Sequence, residues 1–183
     1  MHEIERPNTD GFSLIEMIVA TAILATGLLG LLGFMAHGMR YMATSSPSLI
    51  AREKAREAVE SVHTARDTGL LSWNKIQNVA AGGVFLAGAR PLTTPGPDGL
   101  VNTADDGSVE TLRAPGPDGI IGNADDAQTP LSTFTREIQI TNLMKDGTSV
   151  VNPNLRQITV IISYSVSGVA RTYTLTTYVS SFS

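Results

Sequence analysis

Gly11-Phe12-Ser13-Leu14-Ile15-Glu16 is the stretch that decides the fold. It opens an apolar run, residues 12–35, in which Glu16 is the only charged side chain. As a helix these 24 residues extend about 36 Å, enough to cross a hydrocarbon core. A carboxylate inside a membrane span costs about 2.5–3.5 kcal/mol on insertion scales, so its default reading is functional. A plain transmembrane anchor has no use for that acid. The apolar core of a secretory signal runs about 7–15 residues behind a basic start. The present run is longer and carries its acid near the beginning.

A glycine, an aromatic residue and an apolar run with an acid at its fifth position resemble the class III signal of type IV prepilins and type II secretion pseudopilins. The resemblance implies that a prepilin peptidase cuts between Gly11 and Phe12 on the cytoplasmic side, removing the leader 1–11. Phe12 is then the N-methylated first residue. Glu16 takes the family's assembly role, neutralising the N-terminal amine of a neighbouring pilin or pseudopilin subunit. Both groups lose hydration in the membrane, and pairing them offsets that loss. The implied fold is α+β, a pilin-like lollipop with a long N-terminal hydrophobic helix packed on a small antiparallel sheet. The implied location is a single pass through the inner membrane before assembly, then a pilus or a periplasmic filament. The leader departs from the family pattern, holding Glu3, Glu5 and Asp10 against Arg6 alone. The run Ile18–Leu31 is most similar to minor pilins of the pilus-modification (PilV) type and also to minor pseudopilins. A major pilin, and a membrane-anchored calcium-dependent binding module that never assembles, stay open.

Composition narrows the function. A net charge of -4 and a pI near 5.3 argue against a nucleic-acid surface. There are no cysteines, so the loops are held by something other than disulfides. His2, His37 and His63 are scattered, and no nucleophile stands beside a base in a recognisable motif, so no enzyme is expected.

The run continues as a helix to about residue 43, with Gly27, Gly30 and Gly33 allowing close helix packing or, less simply, bending in a filament. Ser45-Ser46-Pro47 predicts a kink or a break. Residues 48–66 then become amphipathic: Ala51, Ala55, Ala58, Val59, Val62 and Ala65 form one stripe. Their charged neighbours form a solvated face with an Arg56–Glu60 pair. The organisation is therefore a leader 1–11, a spine helix 12–66 and a globular head 67–183. In the head, an acidic repeat loop (94–127) precedes a C-terminal sheet (132–182). Two-residue alternation predicts strands at 157–166 and 169–180 around a Ser167-Gly168 turn, and a third at Phe134–Ile140. Trp73 reads as a core or edge aromatic.

Pro95-Gly96-Pro97-Asp98-Gly99 through Asp105-Asp106 returns twenty residues later as Pro115-Gly116-Pro117-Asp118-Gly119 through Asp125-Asp126, with eight of twelve positions identical. Carboxylates gathered without basic partners repel unless a cation lies between them, and hard oxygen ligands suit calcium. One or two calcium sites are expected. The first draws on Asp98, Asp105 and Asp106, the second on Asp118, Asp125 and Asp126, with Asn102 and Asn123 as further oxygens. The alternative is a pair of solvated Asp-Gly turns.

Overall fold

The computed structural model describes residues 13–182, with side chains omitted for residues 40–45. Leu, Ala, Ile and Met favour helix throughout the first third of the chain, and one helix, α1, runs Leu14–Asp67. It passes through Pro47, so the expected break at Ser45–Pro47 does not occur. A proline removes one hydrogen bond and crowds one carbonyl, and long runs of strong helix formers on both sides carry the backbone through. The chain divides into two compact units, Met1–Ala43 and Thr44–Ser183. In the first, Leu14–Met39 has a mean hydropathy of 2.2, and its most apolar stretch has none of its length buried.

The second unit is built on the alanine stripe. Ala51, Ala55, Ala58, Val62 and Ala65 are buried and Val59 is half-buried, as the periodicity predicts. The charged face differs in detail. Arg56 reaches back to Glu53 at 3.9 Å instead of forward to Glu60. Lys54 is partly buried between Glu57, at 2.6 Å, and Glu110. The helix ends in a left-handed cap: Gly69 has φ +71°, and the Leu71 amide donates to the Ala65 carbonyl at 3.0 Å.

Two short 3-10 turns, Trp73–Lys75 and Val79–Ala81, lead into the strands. These are β1 (Arg90–Pro91), β2 (Thr111–Ala114), β3 (Ala127–Pro130), β4 (Thr135–Met144), β5 (Val151–Val166) and β6 (Val169–Ser180). An antiparallel sheet has the order β1-β4-β5-β6, and β2 with β3 forms a separate hairpin. The result is a long N-terminal apolar helix followed by a small antiparallel sheet, an α+β arrangement of the pilin-like kind. Ser167 and Gly168 both have positive φ, 51° and 78°, the backbone of a tight two-residue hairpin turn. Ile158, Val160 and Ile162 of β5 are buried in alternation, and Tyr173, Leu175 and Val179 face the same core from β6.

Polar groups bind this small core at two points. Arg156 lies with its guanidinium carbon 4.2 Å from the Trp73 ring centre. It donates to the Trp73 carbonyl, to the Ile76 carbonyl at 2.9 Å and to Asn142 Oδ1 at 3.2 Å. The Trp73 indole donates to the Pro153 carbonyl at 2.7 Å. Asn78 acts as a one-residue strand beside β4. Its side-chain Nδ2 donates to the Ile138 carbonyl at 2.7 Å, and its Oδ1 accepts from the Ile140 amide at 2.9 Å. Replacing Asn78 by Ala leaves both backbone groups without that partner. The expected loss is about 1–3 kcal/mol, and the Ile140 amide should exchange its hydrogen faster than the amides of β5.

Candidate functional site

Two parts of the chain hold the residues that the sequence singles out. The first is the start of α1. Gly11 and Phe12 lie outside the described residues, while Glu16 stands in the first turn of the helix. Around it the side chains are apolar and exposed: Leu14 is 81% and Ile15 70% accessible. The hydroxyls of Thr21 and Thr26 donate to carbonyls three and four residues back, at 2.9–3.0 Å, so their polarity is spent inside the helix. Gly27, Gly30 and Gly33 have nothing within 4 Å of where a Cβ would stand. The helix therefore offers another helix a smooth apolar surface with one acid at its end.

The second is the acidic repeat, and each copy is the loop of a hairpin. Copy one, residues 95–106, is closed by Thr94, whose amide donates to the Ser108 carbonyl and whose carbonyl accepts from the Gly107 amide, both at 2.9 Å. Copy two, residues 115–126, links β2 to β3. The local folds correspond. Asp98 and Asp118 accept from the amides two residues on, at 2.8 and 2.9 Å. Gly99 and Gly119 turn at φ +72° and +73°. A Cβ on Gly96 would meet Asp105 Oδ2 at 2.5 Å, and one on Gly116 would collide with Asp125 likewise, so only glycine fits under that aspartate. Asp106 and Asp126 accept from the amides of Asn102 and Gly122, at 2.8 and 2.7 Å.

The copies differ in what surrounds them. In copy one Leu100 and Val101 are fully buried in the core. Asp106 is saturated, accepting also from the Thr93 hydroxyl at 2.7 Å and from the Thr103 hydroxyl at 2.8 Å. Asn102 is buried with φ +63° and accepts from Arg136 at 3.4 Å. Asp98 and Asp105 share one hollow with Thr103, whereas Asp106 and Asn102 line another with Arg90 and Thr93. In copy two the corresponding apolar pair, Ile120 and Ile121, is 62% and 64% exposed. Asn123 donates to Asp118 Oδ2 at 2.6 Å, and Asp126 Oδ1 is buried without a hydrogen-bond partner. Among the described residues no three acidic, histidine or cysteine side chains converge as a metal-holding group.

Behind copy one lies a charged cluster that sequence reasoning missed. Arg136 is fully buried and donates to the Thr93 carbonyl at 3.3 Å. Burial pushes its pKa down, against the opposing charges of Glu110, Glu57 and Asp106. Lys54 is raised above its ordinary value: burial acts to lower it, and hydrogen bonds to Glu110 and Glu57 outweigh that. Arg136 shares the two-residue parity of Phe134 and Ile138, the signal that places it on the core side of β4.

Residues 6–32 match the family model described as the prokaryotic N-terminal methylation motif. That motif is the signature carried by type IV pilins and pseudopilins, and the match covers 27 of the 183 residues. No curated protein and no solved structure matches the chain.

The unequal burial of the two copies has a direct consequence for stability. Leu100→Ala should cost about 2–5 kcal/mol, whereas Ile120→Ala should stay within about 0.5 kcal/mol. Thermal unfolding of the two variants side by side in detergent reads the difference.

Proposed function

We propose that the chain is a minor pilin or pseudopilin of a type IV pilus or type II secretion-like filament. Prepilin peptidase cleaves it between Gly11 and Phe12, Phe12 is N-methylated, and the exposed face of α1 packs against other subunits. The observation that carries this reading is the methylation signature at residues 6–32 on the exposed apolar part of α1, Leu14–Met39, whose first turn holds Glu16. In a filament, Glu16 meets the new amino terminus of a neighbour, and the two charges offset each other's lost hydration. The subunit is structural and waits in the inner membrane until it assembles. Intact mass and N-terminal sequencing with and without prepilin peptidase test the processing step. A peptidase-dependent, methylated product starting at Phe12 is expected, and a full-length chain under both conditions overturns it. Glu16→Gln should leave cleavage intact and abolish incorporation into filaments. Unchanged incorporation would reduce Glu16 to an incidental acid.

The acidic repeat has a calcium role in the same subunit. Copy two offers the stronger case, because a bound cation satisfies Asp126 Oδ1, which is buried without a partner, and Asp118, Asp125 and the oxygen of Asn123 close on it from their present, non-converging positions. Copy one presents Asp98 and Asp105 to a shared hollow, with Asp106 and Asn102 supporting the loop from behind. Binding to the folded state alone stabilises it, by about 2.7 kcal/mol at a hundredfold excess over Kd. The midpoint of thermal unfolding of the full chain should rise with calcium but not magnesium, and Asp126→Asn should reduce that rise. A midpoint indifferent to calcium rules the site out.

A further inference from the structure

The internal repeat supplies its own control. Two loops of nearly the same sequence and the same turn geometry meet different fates: copy one inserts Leu100 and Val101 into the core, and copy two holds Ile120 and Ile121 out in solvent. Copy two is carried on a hairpin whose eight strand residues are all exposed. A projecting apolar tip whose twin is a buried plug has the form of a plug without a socket in its own chain. Its charge points to the partner. Residues 115–126 contain three aspartates and no lysine or arginine, and Asp118 and Asp125 are exposed.

A surface of matching character lies at the margin of the core. On one side of β6, Arg171 and Tyr173 follow each other at the two-residue period. Arg52 of α1 stands 5.9 Å from the Tyr173 ring centre. Tyr164, in register with Arg171, stacks on Phe134 at 5.3 Å. Tyr164 and Tyr173 are only half-covered, and Arg52 and Arg171 are exposed. Among the described residues neither arginine pairs with an acid.

We propose that the calcium-free copy-two loop of one chain docks onto the Arg52–Arg171–Tyr173 patch of a second copy of this chain, isoleucines on the aromatic margin and aspartates facing the arginines. The two surfaces are different, so the contact is head-to-tail. Such a contact runs on into an open array or closes into a ring according to its rotation, instead of pairing two copies by a two-fold axis.

The absence of native cysteines makes the test clean. Two differently tagged full-length chains, one carrying Ile121→Cys and the other Val169→Cys, are co-expressed in membranes without prepilin peptidase and oxidised. Omitting the peptidase makes the result independent of processing at Gly11. Val169 is exposed and shares the Arg171 side of β6. A disulfide-linked heterodimer is expected, well above the yield with Asp146→Cys as the second site. Adding Asp118→Lys and Asp125→Lys to the first chain should lower the yield about fivefold, the size of two exposed ion pairs. Arg52→Glu with Arg171→Glu in the second chain should do the same, and the two sets together should restore it. Equal yields at the two sites, yields indifferent to the charge reversals, or capture of a different membrane protein alone would overturn the proposal.

Discussion

The head rests on one apolar cluster to which α1 contributes almost no volume. Its buried stripe is four alanines and a valine, so the large side chains come from elsewhere. Ile76 and Phe85 enter from the segment after the helix, Leu100 and Val101 from the first acidic loop, and Ile138, Ile158 and Ile162 from the sheet. Burying side chains of this size contributes about 1.5–3 kcal/mol each. Copy one of the repeat is therefore structural: without its Leu-Val pair the cluster would lose two fully buried side chains.

A cysteine-free head needs further ties, and buried cations provide them. Arg156 bridges the turn at Trp73 to β5 through main-chain carbonyls, and Arg136 links β4 to Asn102 in the first loop. Lys54 connects the helix to Glu110. Each guanidinium gives up hydration and replaces it with fixed acceptors, so each is strongly committed to one arrangement of loops. Burial holds the pKa of both arginines below its ordinary value. An arginine remains charged over any ordinary pH range, so the two arginine ties, made to neutral acceptors, do not switch with acidity.

The parts of the fold with a strong period were readable in the sequence. The alanine stripe, the alternation of β5 and the Ser167-Gly168 turn follow from spacing alone. The β2–β3 hairpin was not, because Thr-Leu-Arg-Ala and Ala-Gln-Thr-Pro bury neither face and leave no alternation to detect. A two-residue strand such as β1 has no period at all. Asn78 is invisible for another reason: its role depends on lying beside a strand sixty residues away. The methylation motif was legible because it is a contiguous chemical pattern. The contrast between the two acidic loops was not, since Leu-Val and Ile-Ile are equally apolar and only the surroundings decide which is buried.

Each acidic loop leaves and re-enters through neighbouring antiparallel segments, with its ends held side by side. Removing the second or adding a further one in steps of about twenty residues leaves those ends where they were. The core sees only the first copy, so later copies are free of its packing constraints. Tandem duplication of the underlying gene segment is thus a change the fold tolerates, and length variation at this position is a route by which close relatives of the chain can diversify their surfaces without rebuilding their interiors.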